Sequence, residues 1–271
     1  MSNIHLYQIA YSPETLNQIE PGYKILNNLE NPRPDWFEYW PIRKFLLNNT
    51  LNHNDYYGFF SPKFKNKTNL TYNQVYEFVS KNLDTTDIFL FSPQFDMGAF
   101  FLNIFEQGEA FDAGFLEVYQ SFIDQYGITI KLDELIMDSH QIVFSNYFIA
   151  KFSFWNEWLK ISEFLYKLAE DRSHPLSKEI CKSTTYPGSV QRKVFMIERI
   201  ASLLISIQRN WRVKSANPIQ MNWSGLPTNR LIQEAIQSDA LKQSYNITGF
   251  TEYLSCYNEL RKKLFKIEVR E

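Results

Sequence analysis

Apolar and polar positions alternate over Ile4-His5-Leu6-Tyr7-Gln8-Ile9-Ala10-Tyr11, the period of a strand with one buried face, and Ser12-Pro13 closes the run. Ser12 then suits the N-cap of a helix, with Pro13 in its first turn and Glu14 following. Tyr56-Tyr57-Gly58-Phe59-Phe60 predicts a second strand closed by Ser61-Pro62, and Asp87-Ile88-Phe89-Leu90-Phe91 a third closed by Ser92-Pro93. The third is apolar without alternation, as in a strand covered on both faces. Helical spacing predicts a helix from Asp35 to Asn48, where Pro41 forces a kink or a later start, and another from Thr71 to Asn82 with Thr71 as its cap. Gly22 to Leu26 reads as the approach to a loop, Asn27 to Pro34, too rich in Asn and Pro for regular structure.

Further along, Ala99 to Gln107 and Ala113 to Tyr126 read as helices, Ile142-Val143-Phe144 and Tyr147 to Ala150 as short strands, and Phe154 to Glu170 as an amphipathic helix. Lys193 to Arg209 carries an apolar stripe at Val194, Ile197, Ile200, Ala201, Leu204 and Ile207. Trp211 to Lys214 is a short extended piece, and Thr228 to Tyr245 and Gly249 to Ile267 close the chain as helices. The succession of strand, Ser-Pro turn and helix in the N-terminal half predicts βαβ units, a mostly parallel sheet and so an α/β fold. Residues 1–175 form this α/β part and 176–271 a mainly helical part packed on it. No low-complexity linker separates them, which favours one continuous domain.

Composition narrows the partners. The formal net charge of −2 lacks the basic excess of a dedicated nucleic-acid binder. Cys181 and Cys256 are far apart in the sequence and in no ligand spacing, usage that fits a reducing compartment. The first residues show no signal-peptide pattern, and the apolar runs are too short to span a bilayer, so the expected location is the cytoplasm. Aromatic residues make up 17% of the chain. Two explanations stand side by side: a coding bias toward Phe, Tyr, Asn, Lys and Ile, or aromatic faces that stack on sugar rings.

No phosphate-binding Gly-Lys-Ser/Thr loop, Gly-x-Gly-x-x-Gly turn, Gly-x-Ser-x-Gly elbow or His-Glu-x-x-His helix is present, and four histidines make a multi-His metal site improbable. In open α/β sheets, ligands bind beyond the carboxyl ends of the strands. Three such ends share one chemistry here: Tyr11-Ser12-Pro13, Ser61-Pro62-Lys63 and Ser92-Pro93-Gln94-Phe95-Asp96. Either these loops line one pocket, or Ser-Pro only breaks each strand and caps the next helix. Lys63, Lys65 and Lys67 offer point charges to a diphosphate, or form a solvated loop. Asp96 suits a hard divalent cation, Mn²⁺ or Mg²⁺, that bridges phosphates, or an ordinary helix cap. Glu106 and Glu109, one helical turn apart, offer a general base to an acceptor hydroxyl, or form an acidic exposed face. The stretch from Asn31 to Trp40 mixes Arg, Asp, Glu and aromatics: an acceptor wall, or core packing by Trp36 and Trp40 beside an Arg33–Asp35 pair.

Ile4-His5-Leu6-Tyr7-Gln8, Tyr57-Gly58-Phe59-Phe60-Ser61-Pro62-Lys63 and Asp87-Ile88-Phe89-Leu90-Phe91, taken in succession, resemble bacterial polysaccharide-locus glycosyltransferases of the GT-A type. Ser145 to Trp155 is similar to the segment where a strand leads into an acceptor-side helix in such enzymes, and Met196-Ile197-Glu198-Arg199-Ile200-Ala201 to their late Glu-Arg helix. The resemblance spans roughly residues 4–210. It implies a GT-A-like sheet flanked by helices and transfer of a sugar from a nucleotide-sugar donor to a glycan or lipid-linked acceptor in cell-surface polysaccharide synthesis. It also implies donor binding by Tyr7, Tyr11, Ser12, Lys63, Lys67 and Ser92, with the nucleotide near Tyr7 to Ser12 and the diphosphate near Lys63 to Lys67 and Asp96, metal at Asp96, and an acceptor near Glu106, Glu109 and His140. Such enzymes usually carry Asp-x-Asp after a central strand, and here only Asp96 matches it. Either transfer is metal-independent, with lysines stabilising the leaving diphosphate, or the resemblance is to fold alone. The alternative function is a non-enzymatic glycan- or protein-binding module. Glu198-Arg199 reads as a structural ion pair. The basic terminal helix, with Arg261, Lys262, Lys263, Lys266 and Arg270, either touches an anionic membrane surface or packs on its own domain.

Overall fold

The structure, a computed structural model, describes residues 2–208 and 210–268, the last six in backbone only. Its frame is one six-stranded sheet. β1 (Ile4–Ala10) is followed by α1 (Pro13–Asn17) and by β2 (Lys24–Asn27), an edge strand parallel to β1. α2 (Tyr39–Asn48) crosses to β3 (Tyr56–Phe60), parallel to β1 on its other side. The short α3 (Phe64–Thr68) and then α4 (Tyr72–Ser80) lead to β4 (Ile88–Leu90). α5 (Phe95–Ala99), α6 (Ile104–Phe111) and α7 (Phe115–Tyr126) precede β5 (Phe148–Lys151), which inserts antiparallel between β3 and β4. α8 (Phe152–Glu170), α9 (Pro175–Ile180), α10 (Arg192–Glu198) and α11 (Ile200–Ile207) reach β6 (Val213–Ser215), parallel to β4 at the far edge. The hairpin of α12 (Ile232–Thr248) and α13 (Thr251–Glu268) ends the described chain. The strand order is β2-β1-β3-β5-β4-β6. The mostly parallel α/β sheet expected from the sequence is present, and the C-terminal part contributes its edge strand β6.

Helices cover both faces, so β3 and β4 are apolar at every position, β5 is apolar up to Lys151, and all three still sort by period two. Tyr57 and Phe59 of β3, Ile88 and Leu90 of β4, and Phe148 and Ala150 of β5 face the core beneath α2, α7, α8 and α11. Tyr56, Phe60, Phe89 and Ile149 face the smaller core beneath α3 and α4. Trp155 of α8 stacks on Phe148 at 4.3 Å, meets Phe59 edge-on at 5.0 Å and donates its ring N–H to Tyr57 O at 2.8 Å. Most of the aromatic excess is therefore core.

Where the elements differ from expectation, the cause is local hydrogen bonding or exposure. β2 buries only Leu26, so it shows no alternation to read. Ile142 to Phe144 forms no strand, because the Val143 and Phe144 amides donate to the Ser202 and Ser92 hydroxyls. Asn103 caps α6 through Phe105 and Glu106 N–H, which moves the expected Ala99–Gln107 helix downstream. α2 starts after Phe37, the later start that Pro41 allows. The apolar stripe from Val194 onward is split at Arg199, whose guanidinium takes the Phe195 carbonyl while its own amide bonds Met196 O. Arg209, the end of that expected helix, lies outside the described residues.

No helix among the described residues is long and apolar enough to cross a membrane. In the terminal helix, Leu260 packs against the cluster of Phe95, Ala99 and Phe100, and Arg261 donates to Glu106 at 2.7 Å. The side chains of Lys263 and Lys266, and Arg270 altogether, lie outside the described residues. The hairpin is also held by Lys242, buried at the α5–α6 turn, where its ammonium donates to Gly98 O and Phe101 O at 2.7 and 2.8 Å. Burial lowers its pKa to about 8.

Gly58 sits in β3 opposite Leu6 of β1 and Ile149 of β5. A Cβ there would lie 2.6 Å from Ile149 Cγ1 and 3.3 Å from Leu6 Cδ2. Gly58→Ala should therefore destabilise the fold by about 1–3 kcal/mol in denaturant titration. Lys242 gives a pH signature. Between its folded pKa near 8 and the unfolded value near 10.4, the unfolded chain binds a proton that the folded chain has lost. Across this window wild-type stability should rise relative to Lys242→Met, by up to about 1.4 kcal/mol per pH unit.

Candidate functional site

All strands but β5 send their carboxyl ends to one edge of the sheet, and β5 brings its amino-terminal approach there. At that edge lies a cleft of about 360 Å³. Ile9 and Tyr11 border it at the end of β1, Asn28 and Asn31 beyond β2, and Ser61, Pro62 and Lys63 beyond β3. α3 follows at once, and its pitch puts Lys67 on the same face as Lys63, with Phe64 turned into the core. The opposite wall is Phe37 and Glu38 from the turn before α2, and Val194, Phe195 and Glu198 from α10.

Each wall is pinned from behind. Arg33 forks onto Asp35 at 2.9 Å and reaches Glu170 at 2.6 Å, and Lys193 donates to Asp35 at 2.6 Å over the Trp36 ring. These contacts hold the turn in which Phe37 takes a left-handed φ of 46° and Glu38 faces the cleft. The stretch from Asn31 to Trp40 thus has both of its expected characters, a packed Trp36 with an Arg33–Asp35 pair and a wall of the cleft. On the far side, Lys67 donates to Ser145 Oγ at 2.8 Å, and Ser61 Oγ and Tyr147 OH share a hydrogen bond of 2.5 Å. A hairpin closed by the Ser183–Gln191 bridge carries Tyr186 and Val190 over the mouth. Left-handed non-glycine residues gather here: Asn31, Phe37, Ser145 and Asn146 line the cleft or the niche behind it, and Ser189 precedes Val190. Strain of this kind is often kept where function needs it.

Glu198 and Arg199 diverge, which corrects the expected ion pair. Arg199 is buried and donates to Ile104 O, Phe195 O and Gln107 Oε1 over the Phe115 ring, and burial lowers its pKa to about 10. Glu198 points the other way. Its pKa is raised by burial and by the neighbouring Glu38, against the pull of Lys67, Arg199 and the Ser145 amide. The cleft therefore sets two ammonium groups against two carboxylates, one of them desolvated.

The other expected site residues lie elsewhere. Tyr7 stacks between Phe45 and Phe59 on the α2 side of the sheet. Ser12 caps α1 through a reciprocal bond with Thr15. Lys65 faces outward, 3.9 Å from Glu20. Ser92 holds the Phe144 amide at 3.0 Å beside a separate cavity of only about 10 Å³. Glu106 accepts from Leu102 N and Arg261, and Glu109 caps α7 through Gly114 N and Leu116 N. His140 bonds Asp138 at 3.1 Å. Asp96 is 1% exposed, and its oxygens accept from Ser224 N, Ser224 Oγ and Thr228 Oγ1. These donors fit a clamp on the chain after β6 and not a metal ligand. Among the described residues no three His, Cys, Asp or Glu side chains group to hold a metal ion. Of the residues expected at the site, Tyr11, Lys63 and Lys67 line the cleft. Glu38 and Ser61 join them from stretches that the sequence marks as pocket walls, Tyr186 and Glu198 join them from stretches it does not, and Asn146 lies in the niche behind. A larger groove of about 670 Å³ between α12 and α13 is apolar and shallow and lacks convergent charged groups.

Glu198→Gln should keep the Ser145 amide bond and remove the buried charge. Because the folded pKa is raised, wild type carries the cost at neutral pH and sheds it as the carboxyl protonates. The variant should melt above wild type at pH 7, with the difference vanishing by about pH 4, where the unfolded glutamate also protonates. An unchanged or lowered midpoint at pH 7 would count against desolvation at Glu198. Compared with models of known protein families, with curated proteins and with solved structures, the chain matches none, so the chemistry of the cleft is read from its own residues.

Proposed function

We propose that the protein is a glycosyltransferase that moves a sugar from a nucleotide-sugar donor to a glycan or lipid-linked acceptor in cell-surface polysaccharide synthesis, without a resident metal. The observation that carries this reading is the strand-end cleft in which Lys63 and Lys67 share one face of a helix opposite Glu38 and Glu198. Two ammonium groups offer a diphosphate the countercharge that a metal supplies in related chemistry. Tyr11, Phe37 and Tyr186 provide flat faces for a base or sugar ring. Of six exposed aromatic side chains among the described residues, these three are the ones at the cleft, which favours a ligand site over a broad aromatic binding patch.

In the reaction, the acceptor hydroxyl oxygen bonds to the anomeric carbon as the bond from that carbon to the diphosphate oxygen breaks. The electron pair leaves with the diphosphate, held by Lys63 and Lys67, and the hydroxyl proton passes to Glu198. Burial that raises the basicity of a carboxylate suits it to this transfer. The reading puts the enzyme in the cytoplasm, at the inner face of the membrane when the acceptor is lipid-linked.

Thermal-shift titration with UDP, GDP, dTDP and their sugar conjugates, with and without Mn²⁺, tests the reading. Stabilisation by at least one nucleotide, independent of Mn²⁺ and lost in Lys63→Ala/Lys67→Ala, is the expected result. Glu198→Gln should still bind but turn over about 10²–10⁴-fold more slowly. No shift with any of these nucleotides would remove the basis for transfer.

A further inference from the structure

Behind Lys67 the cleft opens into a niche of about 30 Å³, lined by Trp36, Phe37, Glu38, Lys67, Asn146 and Glu198, with Ser145 beside it. At about 10–15 Å³ for each water-sized group, it has room for two polar atoms with their hydrogens. Its hydrogen-bonding capacity is lopsided. Glu38 and Glu198 are acceptors, the Lys67 ammonium uses one of its three N–H groups on Ser145 Oγ, and Asn146 Oδ1 is buried with no hydrogen-bond partner. Asn146 is 4% exposed, so bulk solvent scarcely reaches its side chain. A buried acceptor without a donor costs about 1–3 kcal/mol. The backbone is held in the left-handed region at both Ser145 and Asn146 to present it.

We propose that this niche binds two neighbouring hydroxyl groups of the donor's hexose ring and thereby selects an unacylated sugar. The inference rests on the nucleotide-sugar reading: a diphosphate on Lys63 and Lys67 brings the first sugar next to Lys67, where the niche opens. Hydroxyl groups bring the donors that Asn146 Oδ1 and Glu38 lack. An N-acetyl group brings one N–H, a carbonyl acceptor that faces carboxylates, and four non-hydrogen atoms where a niche of about 30 Å³ has room for two.

Calorimetric titration of the full chain separates this inference from the reading beneath it. The ligands are UDP, GDP and dTDP, then UDP-glucose, UDP-galactose, GDP-mannose and dTDP-glucose, then the N-acetylglucosamine conjugate of whichever nucleotide binds. The expected result is that one hexose conjugate binds at least about tenfold more tightly than its parent diphosphate, roughly what one hydrogen bond to a charged group contributes, while the N-acetyl conjugate gains nothing. Asn146→Gly suits the left-handed backbone and should keep the affinity for the bare diphosphate while losing most of the hexose gain. A diphosphate that binds without any hexose gain, an N-acetyl conjugate that binds as well as the hexose, or an Asn146→Gly protein that keeps the gain each overturns the niche assignment alone. Failure of every diphosphate to bind overturns both.

Discussion

The cleft depends on the direction of β5. A strand running with its neighbours would end at the edge where Ser61 and Ser92 sit, and its helix would leave from there. β5 runs against β3 and β4, so Ser145, Asn146 and Tyr147 arrive at that edge and α8 departs from the opposite one. The approach needs two successive left-handed residues, at about 1 kcal/mol or more each, and neither is glycine. What offsets this is packing further along the same strand: Phe148 and Ile149 are fully buried, and Trp155 one turn into α8 lies flat on Phe148. A rigid aromatic core thus holds a strained turn, and the strained turn carries the polar wall of the site.

Charge follows from this arrangement. Lys67 reaches across the sheet edge to Ser145, which brings its ammonium close enough to Glu198 to oppose the desolvation of that carboxylate. The opposition is incomplete, and Glu198 remains a stronger base than an exposed glutamate. A cleft that kept every charge paired and solvated would be more stable and less reactive; desolvation of one carboxylate is a cost that function explains and folding does not.

The central strands were legible because burial on both faces leaves nearly uninterrupted apolar runs, and their ends were legible because Ser-Pro cannot continue a ladder. β2 was not, since an edge strand that buries one residue carries no periodicity. The direction of β5 was not legible either: pairing partners lie about ninety residues away in the chain, at Tyr57 and Ala150, and periodicity is blind to polarity. For the cleft, nearness in sequence to a strand end picks out Tyr11, Lys63 and Lys67, which line it. The same rule pointed to Asp96, whose partners Ser224 and Thr228 come 128 and 132 residues later and turn its carboxylate inward. Glu198 was hidden for the converse reason. Beside Arg199 in an amphipathic stretch it has the look of an ion pair, whereas the Arg199 guanidinium bonds Ile104 O, Phe195 O and Gln107 Oε1 and Glu198 lines the cleft.

The lysines at the end of β3 and the carboxylates of the opposite wall belong to one electrostatic arrangement. A metal-binding carboxylate pair at a strand end would need a cation before it could accept a diphosphate, because bare carboxylates repel phosphate. Beyond β3 this chain has Ser61-Pro62-Lys63, followed one helical turn later by Lys67, and those charges attract phosphate without an intermediary. The carboxylates that remain, Glu38 and Glu198, stand on the opposite wall, where they oppose a diphosphate less and can address hydroxyl groups. The division of the cleft into a cationic wall and an acceptor-rich wall would orient any ligand that is anionic at one end and hydroxylated at the other.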